Sequence, residues 1–220
     1  MQPRLMTRYD PPEGALAVLH ADADLVFVDK PSGLLSVPGK PADHWDCLEH
    51  RVRQAFPDAL LIHRLDLETS GVMVFALNPR AQKIINGQFE RRLVKKTYLA
   101  RVAGQVADDE GEIDMPLIAD WPRRPMQKVC FETGKPSRTR WRVLERDADA
   151  TRLELTPETG RSHQLRVHLK EIGHPILGDP FYAPEDVYRA VPRLQLHASH
   201  LAVRHPSGGE WLGVNAPCPF

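Results

Sequence analysis

Two rhythms of apolar and polar positions alternate along this chain. Short apolar runs at Ala15 to Leu19 and Leu25 to Val28, split by the turn-rich Asp22-Ala23-Asp24, predict a β-hairpin. Within residues 46–56, Leu48, Val52 and Phe56 recur at helical spacing until Pro57 stops them. A second helical stripe, Ala81, Ile84, Ile85 and Phe89, follows Pro79, a residue suited to a first helical turn. Strand alternation returns at Lys95 to Val102, then at Thr139 to Leu144 and Thr151 to Leu155, which read as a pair turned by Asp147 to Ala150. Leu165, Leu169 and Ile172 share one helical face, and Gly173 with Pro175 ends that helix. In the middle, Leu60-Leu61-Ile62 and Val72 to Ala76 flank the polar stretch His63 to Gly71. This is the pattern of two buried strands joined by an exposed loop, with Asp66 at a strand end and Gly71 permitting a sharp re-entry.

With 220 residues and 42% hydrophobic composition, the chain can bury a substantial core. Twenty prolines, fourteen glycines and only 7% aromatics favour many short elements over a helix bundle. The expectation is one α+β domain over residues 15–220, rich in antiparallel strands, behind an irregular polar leader at residues 1–14. Cys47, Cys130 and Cys218 are odd in number and lack CxxC spacing, so neither a disulfide framework nor a thiolate zinc site is supported. No signal peptide or membrane-length apolar window is present, and a cytoplasmic location is expected.

The formal net charge is zero, with 29 basic and 29 acidic residues, so any phosphate-binding face must come from distribution rather than excess. Arg91, Arg92, Lys95, Lys96 and Arg101 lie together, whereas Asp108, Asp109, Glu110, Glu112 and Asp114 crowd the next segment. Such segregation is written either by one positive and one negative face or by two solvated loops, and charge counting does not separate the two. From Arg123 to Arg146, the basic residues Arg123, Arg124, Lys128, Lys135, Arg138, Arg140, Arg142 and Arg146 face only Glu132 and Glu145, which extends the positive track. Cations, planar side chains and prolines mix between Asp120 and Pro136, a composition that holds looped or single-stranded RNA.

Locally, Asp66 needs solvent or a cation, and Arg64 is its neighbour; a turn-stabilising aspartate beside a surface arginine would be written the same way. Lys30, in the rigid Lys30-Pro31-Ser32-Gly33 turn, reads as a phosphate contact or, more commonly for such a turn, as a surface lysine. His163 and His168 are five apart, and His197 and His200 are three apart without a clear third ligand, so a metal site is not expected.

His63-Arg64-Leu65-Asp66 followed by Thr69-Ser70-Gly71 resembles the catalytic motif of the RluA-type pseudouridine synthases. The likeness continues through Lys30 to Gly39, Lys95 to Val102, Thr159 to His168, Gly178 to Tyr182 and Arg193 to Ala198, from about Asp24 to Pro217; the Asp120 to Pro136 loop is similar to that of the RluA branch itself. The resemblance implies a single α+β catalytic domain with a central, mostly antiparallel mixed sheet flanked by helices and loops. The small N-terminal S4 domain that the family often carries is not expected here. It implies isomerisation of uridine to pseudouridine in a tRNA anticodon-stem loop and a large-subunit ribosomal RNA hairpin, with RNA as the partner and neither cofactor nor metal, by a monomer. Asp66 would be the nucleophile, Tyr98 the ring against the base and Arg166 the cation paired with the aspartate. Leu196 would line the uracil pocket, and Arg64 would fill the space that the extruded base vacates. Arg123, Arg124, Lys128, Arg161 and His163 are further candidates for RNA contact. Attack on the uracil ring and chemistry at the ribose, through a glycal-like intermediate, both stay open. The rival readings are a catalytically silent RNA-binding factor on the same fold, a family member with a single target, and a metal-dependent hydrolase.

Overall fold

The computed structural model describes Arg4, residues 8–40 and residues 44–220. In chain order the elements begin with β1 (Ala17–Ala21), β2 (Leu25–Lys30), α1 (Leu48–Ala55), β3 (Leu60–Leu61), β4 (Ser70–Ala76) and α2 (Pro79–Glu90). They continue with β5 (Lys95–Ala103), β6 (Glu110–Asp114), β7 (Leu117–Ala119), β8 (Gln127–Val129), β9 (Arg138–Arg146) and β10 (Ala150–Pro157). The chain closes with α3 (Gln164–Glu171), α4 (Glu185–Arg189), β11 (Leu196–Arg204) and β12 (Trp211–Asn215). Strands outnumber helices, as the composition predicts, and the fold is α+β. The described part of the leader, Arg4 and residues 8–14, contains neither helix nor strand. No helix among the described residues is long and apolar enough to cross a membrane.

The described residues form two compact units, one of residues 8–96 and 197–219, the other of residues 97–196 with Arg4 and Phe220. In the first unit every residue of β4 is buried. One edge of β4 pairs antiparallel with β2, from Leu25 opposite Ala76 to Lys30 opposite Gly71. The other edge is shared. The start of β4 pairs with β11 in parallel, His197 opposite Ser70, and its end with β3, Leu61 opposite Phe75. Gly71 has φ +115, and a β-carbon there would meet the Ala198 carbonyl oxygen at 2.3 Å, so β11 can approach only a glycine. Met73 and Phe75 join Val26, Val28, Leu34, Leu48 and Val52 in one cluster, which places α1 on that face. Strand alternation puts Val72 and Val74 on the opposite face, and α2, which buries Ala81 and Ile85, packs against β4. Asn78 caps α2 by accepting from Ala81 N–H at 2.8 Å, with Pro79 at the first turn.

In the second unit β5, β10, β9 and β6 pair antiparallel in that order. Ala100, Val102, Trp141, Leu153 and Leu155 build its core with Leu165 and Leu169 of α3, and Ile172 packs against them, the helical face expected from the sequence. A separate two-stranded hairpin, β7 and β8, joins Leu117 and Met126 to Val167 of α3 and Tyr182 in a smaller apolar cluster.

The expected charge segregation fails in this second unit. Strand β6 lies beside β9 in a register that sets Glu110 opposite Arg142, Glu112 opposite Arg140 and Asp114 opposite Arg138. Arg138 pairs with Asp114 at 2.7 Å, Arg142 with Glu154 at 2.9 Å and Arg146 with Asp109 at 2.8 Å, while Arg140 pairs with Glu158. Linear separation of the charges concealed a cross-strand arrangement that neutralises half of the presumed positive track.

Candidate active site

Asp66 lies in the connection between β3 and β4, and β3 stops at Leu61, so it is a loop residue and not one at a strand end. The polar run from His63 to Thr69 offers no alternating apolar face to extend β3. The loop is nonetheless tightly held. Lys30, fully buried, donates to the carbonyls of Pro31 at 2.9 Å, Leu34 at 2.6 Å and Leu67 at 2.9 Å. Its expected surface position is therefore wrong: the ammonium replaces water with three carbonyls supplied by the turn it starts and by the loop opposite. The Leu67 carbonyl also accepts from Gly33 N–H at 3.0 Å, and Ser32 Oγ donates to the Glu68 carbonyl at 2.7 Å. Ser36 bonds Leu65 twice, donating to its carbonyl at 2.7 Å and accepting from its N–H at 3.1 Å. A turn closes after Asp66, whose carbonyl accepts from Thr69 N–H at 3.2 Å. Residues 65, 67 and 68, on both sides of Asp66, are thus fixed by the segment from Lys30 to Ser36.

His63 anchors the loop's entry. Its ring stacks on Phe89 with centroids 4.8 Å apart, and Nε2 accepts from Val74 N–H at 3.2 Å. Burial, reinforced by the nearby Lys96 ammonium, pushes its pKa down to about 3, so the ring is neutral with its proton on Nδ1. Arg64 is exposed, and Asp66 is half-buried.

In the second unit Tyr98 lies on β5 opposite Leu155 and packs, half-buried, on the cluster that contains Leu196 and Leu165. Arg166, one residue after Leu165, is 2% exposed, and Asp179 is 0% exposed. Arg166 Nε and Nη2 donate to the Asp179 carboxylate at 2.8 and 2.7 Å, a two-point fork. The Phe181 and Tyr182 rings lie 4.9 and 5.3 Å from the guanidinium carbon. The turn that starts α3 is fixed by Gln164, whose Oε1 accepts from Thr159 Oγ1 at 2.7 Å and Arg161 N–H at 3.1 Å. His163 adopts the left-handed conformation at φ 54, with its ring stacked on Phe181 and Nδ1 2.7 Å from the Tyr182 hydroxyl. That hydroxyl also accepts from Gln127 N–H at 2.8 Å, which ties the β7–β8 hairpin to the start of α3.

The other candidates divide. Arg123 is engaged with Asp120, its Nε donating at 2.6 Å, whereas Arg124 lies over the exposed Trp121 ring at 3.5 Å and Lys128 is exposed on β8. Arg161 Nε donates to the Pro136 carbonyl at 3.4 Å. His197 uses Nδ1 with Ser70 Oγ at 2.9 Å and Nε2 with the Ala216 carbonyl at 3.2 Å, and His200 Nδ1 meets Asn215 Oδ1 at 2.8 Å. No group of three or more metal-ligating side chains occurs among the described residues. Sequence reasoning missed Lys30, Ser36, Gln164 and Asp179. The signals for Asp179 were its place in the family-like segment Gly178 to Tyr182 and its position between glycine and proline; neither named its partner.

Residues 24–171 match the family model described as RNA pseudouridylate synthase. The chain belongs to this family. Members are RNA pseudouridine synthases, which break the nitrogen–carbon glycosidic bond of a uridine and rejoin the base through carbon. The synthase is 50% identical over 217 residues to the dual-specificity RNA pseudouridine synthase RluA of Escherichia coli K12, covering 98% of this chain and 99% of that one. It is 53% identical over 206 residues to the protein of the same description from Yersinia pestis, covering 93% and 100%. Among solved structures, that of human RNA pseudouridylate synthase domain containing 1 superposes with a TM-score of 0.81 at 30% identity, over 96% of this synthase and 87% of that chain. The α+β fold and the isomerase activity expected from the motifs are therefore established.

Proposed function

We propose that this synthase modifies two RNAs, a tRNA anticodon-stem loop and a large-subunit ribosomal RNA hairpin, acting in the cytoplasm as a monomer. The observation that carries this reading is the near full-length 50% identity to a synthase named for dual specificity. The exposed Trp121, stacked by Arg124, and Lys128 on the same hairpin supply an aromatic face and cations of the kind that grip looped RNA.

In this reading residues 15–220 act as one catalytic domain and Asp66 is the nucleophile. Support comes from the His63-Arg64-Leu65-Asp66 motif and from the hydrogen bonds that fix the backbone on both sides of it. Tyr98 offers its ring to the uracil, Leu196 an aliphatic wall and Arg166 the cation matched to the nucleophile. Arg64, exposed beside Asp66, takes the place of the extruded base, and Arg123, Arg124, Lys128, Arg161 and His163 contact RNA. Pseudouridine mapping of total RNA from cells with and without the synthase tests the targets. Loss of one tRNA position and one ribosomal position is the expected result; loss of a single position reduces the reading to one target, and no loss rejects it.

A further inference from the structure

Arg166 is the largest fully buried side chain among the described residues, so its guanidinium depends on protein partners in place of water. Asp179 meets it edge to edge through Nε and Nη2 at 2.8 and 2.7 Å. A planar fork held along that edge cannot turn about its own plane, and its remaining terminal nitrogen, Nη1, is directed away from Asp179.

The carboxylate is itself immobilised. Its Oδ1 also accepts from Phe181 N–H at 2.8 Å and Tyr182 N–H at 3.1 Å. The turn beneath is locked by Gly178, at φ +73, where a β-carbon would meet the Arg193 carbonyl oxygen at 2.2 Å. The Nε–Nη2 edge of Arg166 is therefore tied, through this carboxylate, to the backbone of residues 178–182.

We propose that Asp179 is a positioning residue for the isomerisation, acting only through Arg166. This rests on the role proposed above for Arg166. In Asp179→Asn the amide keeps an acceptor for the two backbone N–H groups but turns an NH2 toward the guanidinium, which loses its second bond. Single-turnover kinetics on a tRNA stem-loop should then show kcat lower by about 10- to 100-fold with KM within about threefold. Asp179→Glu, which keeps the charge but displaces it by one methylene, covers the case in which the Asn variant does not fold, and should lower kcat with KM held.

The decisive comparison is a double-mutant cycle with Arg166→Lys. If Asp179 acts through Arg166, adding Asp179→Asn or Asp179→Glu to Arg166→Lys lowers kcat no further. An undiminished kcat in the folded Asp179 variants, or the same fold-loss in both backgrounds, overturns the proposal. An undiminished kcat in Arg166→Lys alone overturns the reading of Arg166 instead, so the two failures are distinguishable.

Discussion

In the loop that carries Asp66 the anchoring falls on backbone atoms of its neighbours, whereas Arg166 is anchored through its own guanidinium. Lys30, Ser32, Ser36 and Gly33 bond to residues 65, 67 and 68, and none of these bonds uses the Asp66 carboxylate. Arg166 instead projects from the first turn of α3, and a buried carboxylate grips its side chain. The contrast shows two ways to make a charged group precise. Around Asp66 the chain is pinned on either side, and at Arg166 the side chain itself is gripped.

The largest expected effect is at Lys30. Lys30→Met removes three charge-assisted bonds, takes the ammonium donor from the carbonyls of Pro31 and Leu34 and leaves Leu67 with Gly33 N–H alone, so unfolding in urea should show a loss of about 3 kcal/mol or more. If the loop is pinned as described, the variant should also lose activity well below its midpoint. The acid side tests His63. Its folded pKa of about 3 lies below the ordinary 6.5, so between those values the unfolded chain binds the extra proton and stability falls as pH is lowered. Moving from pH 7 to pH 5 should cost about 1–2 kcal/mol in chemical denaturation through this group. His63→Gln, which keeps an acceptor for Val74, should lose less over the same interval.

On the helix side Tyr182→Phe removes the hydroxyl shared by His163 and Gln127 and should cost about 1 kcal/mol while releasing the β7–β8 hairpin, read by faster amide exchange at Gln127. The smallest effect belongs to Arg142→Ala. Because Glu154 already matches that charge, RNA affinity should change by less than about twofold.

Much of this was legible beforehand. The stripe behind Pro79 is α2, Thr139 to Leu144 and Thr151 to Leu155 are paired strands, and Leu165, Leu169 and Ile172 face the core. Those readings depend on local periodicity, which a sequence displays directly. What stayed hidden depends on partners far along the chain. Lys30 is buried because Leu67 supplies an acceptor 37 positions away, and Arg138 is neutralised by Asp114, 24 positions before it. Asp179 reaches Arg166 across 13 residues and a turn whose geometry only coordinates reveal. The motif at Asp66 was readable as letters, while the hydrogen bonds that make its loop rigid were not.

Asp66 is the proposed attacking group. Single-turnover assay of Asp66→Asn on a uridine-labelled stem-loop, with RNA binding measured in parallel, tests that role most directly. Pseudouridine formation should fall at least about a thousandfold, with affinity within about threefold of the parent. Appreciable pseudouridine formation by the folded variant would contradict that role.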